Sequence, residues 1–134
     1  MYKINETLES KTAFLTLKED GIIRILFKAD STIEAKDTEI HTDMLFEITN
    51  KINHPCIFQA QEHVIFSKEA RERSSELELI TPLTCMAMLT KSLSYKLVGN
   101  FYIKFHKPKI PFKLFSTEEL AIEWIKKNDL MSKK

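Results

Sequence analysis

Thr84-Cys-Met-Ala-Met-Leu-Thr90 decides how the rest of this chain is read. Its inner residues, Cys85 to Leu89, are apolar without alternation, which is the pattern of a strand covered on both faces. Such strands belong to parallel sheets sandwiched between helices, and this stretch is expected to be the central strand.

Downstream, Leu93, Leu97, Val98, Phe101 and Phe105 fall at helical spacing and predict a helix with that stripe buried. Phe101-Tyr-Ile-Lys-Phe105 alone also fits an alternating strand, but the helical stripe is longer. Ile110 to Phe115 reads as a strand, placed at a sheet edge because Pro111 removes a ladder donor. Ser116-Thr-Glu-Glu119 is a capping box, and Leu120, Ala121, Trp124 and Ile125 form the apolar face of a last helix.

Upstream, Cys56 to Ala60 and Val64-Ile65-Phe66 are short apolar runs that precede a half-exposed helix over Ser67 to Glu78, where Ala70 and Leu77 face inward. Before them, Ser31 and Glu34 offer a capping box. The helix this predicts carries Ile40, Met44, Leu45, Ile48 and Ile52 on its core side and stops at Asn53-His54-Pro55. Thr12 to Leu17 and Ile22 to Lys28 are β-like runs joined by Lys18-Glu-Asp-Gly21, whose Asp-Gly suits a tight antiparallel hairpin. The expected architecture is α/β: a mainly parallel sheet with an antiparallel N-terminal hairpin and helices following the strands.

The 134 residues, 43% of them apolar and 29% charged, suit a single domain spanning 1–134. No basic start, apolar run and small-residue cleavage site occur together near the N-terminus, and no apolar stretch approaches the ~20 residues of a membrane span. A cytoplasmic protein without a transmembrane segment is expected. Cys56 and Cys85 each sit in an apolar run, and His41, His54, His63 and His106 show no metal-ligand spacing, so neither a disulfide framework nor a metal site is expected. Charge is uneven: residues 79–117 carry six lysines and no acid, against a net charge of −5 over residues 1–78.

Element order and several motifs resemble the STAS/SpoIIAA-like superfamily, the fold of the anti-sigma-factor antagonists, and more closely an uncharacterised bacterial STAS-like family of about this length. The features that carry the resemblance are Phe66-Ser-Lys-Glu-Ala-Arg71, Met86-Ala-Met-Leu89, Val98-Gly-Asn-Phe101, Lys107-Pro-Lys-Ile-Pro111, and Phe115 followed by Glu119, Ala121 and Trp124. With the element order included, the resemblance runs over nearly the whole chain. In the antagonists, a serine between the third strand and the second helix is phosphorylated by a partner kinase, and the phosphate's charge breaks a protein interface. Ser67 stands in that place, with Phe66 before it and Lys68-Glu69 after it instead of an Asp-Ser pair and a glycine.

The resemblance implies a non-enzymatic protein-interaction module, regulatory in kind. Its partner surface is expected on the helix from Ser67 to Glu78, at Lys68, Arg71, Ser74 and Ser75, with Ser67 as either a phosphorylation site or simply a helix cap. Among Glu69, Glu72 and Glu76, local pairing on the helix would account for Arg71 and Arg73. The partner expected is another protein, or a second copy in a homodimer.

The alternative is a binder of a small apolar or anionic ligand, a lipid or a nucleotide, in a cavity under the third helix lined by Phe101 and Phe105. Nucleic acid ranks third, through the lysines of residues 91–113 and an anion-binding patch of Lys104, Lys107 and Lys109. No Gly-rich phosphate loop, nucleophile elbow or exposed activated cysteine appears, so neither a catalytic residue nor a cofactor is expected.

Overall fold

The computed structural model describes residues 4–132. The elements in chain order are β1 (Thr7–Glu9), β2 (Ala13–Leu17), β3 (Ile23–Phe27), β4 (Thr32–Ile33), α1 (Ala35–Thr49), β5 (His54–Ala60), β6 (Ile65–Phe66), α2 (Lys68–Leu77), β7 (Leu83–Leu89), α3 (Leu93–His106), β8 (Phe112–Phe115) and α4 (Glu118–Lys127). Six strands form one sheet in the order β1-β2-β3-β5-β7-β8. The first three are antiparallel, and the pairs β3–β5, β5–β7 and β7–β8 are parallel.

The β2–β3 turn forms where Asp-Gly predicts it, with Gly21 at φ +81° and its amide donating to the Lys18 carbonyl at 2.9 Å. Thr84 to Leu89 lies in β7, with Thr90 just past its end, and β7 is an inner strand but not the middle one. Its buried neighbour β5 sits nearer the centre, between β3 and β7. Both faces of β7 are nevertheless covered, which is why its residues do not alternate. β8 is the edge strand that Pro111 predicts, and the Pro111 carbonyl accepts from the Met86 amide at 2.9 Å.

Two cores flank the sheet. On one face Leu15, Ile25, Phe27, Cys56, Phe58 and Met88 meet Leu45, Ile48 and Ala70 of α1 and α2. On the other, Ile57, Cys85 and Ala87 pack against Ala121 and Ile125 of α4, with Trp124 at their margin, while Leu120 is 48% exposed rather than part of that face.

Helix α1 departs from its expected cap and its expected face. Residues 32–33 pair with β6, and the Ser31 and Ile33 carbonyls accept from the Ile65 and Ser67 amides, so this segment stays extended. The capping box forms one turn later, between Glu34 and Asp37. Asn50, left-handed at φ 52°, ends the helix, which frees His54 and Pro55 to join β5. The buried side is Thr38, His41, Thr42, Leu45, Ile48 and Thr49, whereas Ile40 is 38% exposed. Threonines serve here because Thr38, Thr42 and Thr49 return their hydroxyls to the carbonyls of Glu34, Thr38 and Leu45, leaving methyl groups to pack.

Helix α3 is a helix as expected, but it is turned over. Leu93, Leu97, Phe101 and Phe105 are 72, 63, 43 and 61% exposed, and of the expected stripe only Val98 faces inward. The inner row is Tyr95, Gly99 and Tyr102. A Cβ on Gly99 would lie 2.8 Å from Met88 Sδ and 3.0 Å from Leu114 Cδ2, so the missing side chain lets the helix backbone settle onto β7 and β8. Tyr95 fixes the start of the helix, its hydroxyl donating to the Gln61 carbonyl at 2.5 Å and accepting from the Val64 amide at 3.0 Å.

Candidate functional site

Between the sheet and the layer of α1, α2 and α3 lies a cavity of about 170 Å³. Phe58, Met86, Met88 and Phe112 rise from the strands as its floor, and Phe66 and Val98 close its sides. Polar groups reach it from each of these helices: Thr38, His41 and Thr42 from α1, Arg71 and Ser74 from α2 with Glu78 at its C-cap, and Tyr102 from α3. This is the cavity expected beneath the third helix, but its α3 wall is Val98, Gly99 and Tyr102, because Phe101 and Phe105 face outward.

His41 is buried against the Phe27 ring, with Nε2 2.9 Å from Thr12 Oγ1. Burial pushes its imidazole down to about 4, against the opposing pull of Asp37, so it is neutral near pH 7. Burial, and then the nearby Glu78 carboxylate, pushes the Tyr102 hydroxyl up to about 12. Glu78 itself accepts from the Lys109 amide through both carboxylate oxygens.

Arg71 departs from the local pairing expected of it. Arg73 makes the pairs, with Glu76 in its own helix and Glu39 of α1, both at 3.3 Å. Arg71 turns inward: Nη1 donates to the Phe66 carbonyl at 2.6 Å, and the guanidinium lies 5.4 Å from the centroid of the Phe101 ring. Its Nε is buried and has no hydrogen-bond partner among the described residues.

The outer surface of the same layer carries the apolar stripe of α3. Phe101 and Phe105 pack ring against ring at 4.3 Å, and Lys104 Nζ lies 5.6 Å from the Phe105 centroid. Lys104 sits in the last turn of α3, Lys107 is its left-handed C-cap at φ 47°, and Lys109 follows in the loop, all three exposed. The basic patch expected from sequence therefore adjoins the apolar stripe.

Ser67 is the N-cap of α2, its hydroxyl accepting from the Ala70 amide at 3.0 Å. Lys68 is exposed beside it and Ser75 is half-buried, while Ser74 lines the cavity together with Arg71. The four residues expected as a partner surface are thus split between the exterior and the cavity wall. Cys56 and Cys85 are buried free thiols, and burial pushes both up, which suits core packing. Among the described residues, no three His, Cys, Asp or Glu side chains come together to hold a metal ion, and no helix is long and apolar enough to cross a membrane.

Sequence reasoning missed the outward face of α3 and the inward Arg71. The available signal was Tyr95, Gly99 and Tyr102, spaced i, i+4, i+7 with the glycine central. That row competes with the leucine and phenylalanine stripe for the core, and the close approach at Gly99 decides in its favour.

Residues 15–129 match the family described as "Domain of unknown function (DUF7793)", and the chain belongs to that family. No curated protein matches it. Among solved structures, the chain is similar to an uncharacterised protein of the DUF3478 family with a SpoIIAA-like fold from Shewanella loihica PV-4. That match has a TM-score of 0.56 at 18% identity and covers 87% of this chain and 98% of that one. The fold is SpoIIAA-like, as the sequence motifs imply.

Proposed function

We propose that this chain is a single-domain, non-enzymatic interaction module that binds an acidic protein partner through the outer face of α3. The observation that carries the reading is the row Leu93, Leu97, Phe101 and Phe105, 43–72% exposed on a helix whose other side already completes the core. Contiguous apolar surface rimmed by charge is what protein interfaces are made of, and aromatic anchors dominate their energetics. The rim here is basic, with Lys104, Lys107 and Lys109 exposed where α3 ends. Two copies meeting through this face would set lysines against lysines, which favours an acidic partner over a homodimer. Ser67 belongs to the proposal as the cap of α2: a phosphate there would sit at the helix N-terminus, one turn from Arg71, and would change the charge at the edge of this face.

The test compares the wild-type chain with the double variant Leu97→Glu/Phe101→Glu in capture from lysate at low and high salt, with light scattering and sedimentation with anionic vesicles in parallel. A partner with an acidic surface, held by wild type, released by salt and lost by the variant, supports the reading. Capture that is indifferent to the variant, a dimer that dissociates in it, or binding to vesicles alone refutes it.

A further inference from the structure

The cavity beneath α3 contains more than apolar space. Several of its polar groups are already occupied: Thr38, Thr42 and Thr81 give their hydroxyls to carbonyls one turn back, and His41 is engaged with Thr12. Three donors on its wall are not. Arg71 Nε is buried without a partner, and the hydroxyls of Ser74 and Tyr102 make no hydrogen bond among the described residues. A buried donor left unmade costs free energy, and in a native structure it calls for an explanation.

Charge points the same way. Arg71 pairs with no carboxylate among the described residues, while Glu78, the acid on the cavity wall, accepts from the Lys109 amide and keeps its charge beside Tyr102, too far from the guanidinium to pair with it. The cavity therefore presents a guanidinium with an unused N–H above a floor of Phe58, Met86, Met88 and Phe112. A water molecule would answer a donor but would leave the charge and the apolar floor unmatched; apolar cavities of about 150 Å³ admit a benzene ring. A carboxylate fits the planar fork of a guanidinium.

From this we infer that the cavity of about 170 Å³ is a binding site for a small apolar monocarboxylate, its carboxylate on Arg71 and Ser74, away from Glu78, and its ring or short chain on the floor of β5, β7 and β8. The site is distinct from the outer stripe and stands whether or not that stripe binds a protein.

Benzoate and hexanoate are the probes, with benzyl alcohol and hexanol as uncharged counterparts. They are titrated into the full chain labelled at its methionine methyls, where Met86 and Met88 report on the floor and Met131, packed at the α4 face, is the control. The acids are expected to shift the Met86 and Met88 resonances and to bind at least about tenfold more tightly than the alcohols, the contrast that a hydrogen bond to a charged group provides. Arg71→Met is expected to erase that contrast and Arg71→Lys, which keeps the charge without the fork, to retain part of it. The wild-type titration stands alone if a variant fails to fold. Acids that leave both methyls unmoved, meaning a cavity filled by water only, would overturn the inference, as would acids and alcohols that bind equally well. Benzoate binding without hexanoate, or the reverse, supports it and separates a ring from a chain as the occupant.

Discussion

Acid should weaken this fold well before its carboxylates titrate, and His41 is the reason. The imidazole is buried beneath α1, 5.5 Å from the Phe27 ring centroid and 2.9 Å from Thr12 Oγ1, with Asp37 as the nearby charge. Desolvation lowers its pKa from 6.5 in the unfolded chain to about 4 in the folded one. Between those values the unfolded chain takes up a proton that the folded chain refuses, so stability is full above pH 6.5 and falls as the pH drops toward 4. A slope of about 1.4 kcal/mol per pH unit accumulates over that interval to roughly 3 kcal/mol, a large share of the 5–15 kcal/mol typical of a domain. Asp20 does not confuse the window. Burial raises its carboxyl, but hydrogen bonds from Arg24 and the Ile22 amide outweigh that and hold it below 3.8, so its contribution is lost only at lower pH. The assay is urea denaturation followed by the fluorescence of Trp124 at half-unit steps from pH 7.5 to 4.5, for wild type and for His41→Leu. Wild type should lose most of the expected 3 kcal/mol on the scale of roughly one proton, and the variant should be nearly flat. A flat wild-type profile, or an equal slope in His41→Leu, would refute the assignment.

Gly99→Ala sets a helix-propensity gain of about 1 kcal/mol against the crowding of Met88 and Leu114, and overpacking of about 1–3 kcal/mol should win. A net loss of about 1 kcal/mol in urea is expected, and a more stable variant would show that α3 does not sit on β7 through this glycine. Ser67→Ala should cost about 1 kcal/mol through the lost cap, while Ser67→Asp should stay near wild type. Phe101→Glu should change stability by no more than about 0.5 kcal/mol, because the ring stands outside both cores; a cooperative collapse of the fold would place that ring in the interior instead. Cys56 and Cys85 should react with a thiol reagent only as fast as the chain unfolds, measured by reagent uptake against urea concentration.

Much of the fold was legible wherever a local rule and the tertiary arrangement agree. Asp20-Gly21 specified the hairpin because positive φ is a demand a few residue types meet. Pro111 placed β8 at an edge, whereas the cap of α4 falls one residue after the Ser116 of the expected box, with Thr117 accepting from the Leu120 amide at 3.3 Å. Short pairings were not legible: β4 and β6 have two residues each, too few for periodicity, yet their ladder displaced the cap of α1. The threonine face of α1 was hidden because hydropathy counts a hydroxyl as polar, whereas a hydroxyl returned to its own helix is already satisfied.

The reversal of α3 has a different origin, and it bears on the site. A helix with apolar residues on two sides gives no periodic sign of which side is inward; volume decides. Tyr102 lies over Phe112 of β8 and Tyr95 reaches Gln61 and Val64 while Gly99 meets Met88 and Leu114, whereas Leu97 and Phe101 in that place would hold the backbone away from those two residues. The closer approach forms the α3 wall of the cavity and sends the leucine and phenylalanine row outside. Arg71 lies where the two consequences meet, lining the cavity and standing 5.4 Å from the Phe101 centroid. A carboxylate drawn to its inner edge would compete with the ring for the guanidinium's position, so Phe101 should sense cavity ligands that never touch it. With benzoate bound, the Phe101 ring resonances should shift in wild type and stay fixed in Arg71→Met. Shifts that persist without the guanidinium would mean that the ring responds to helix movement instead.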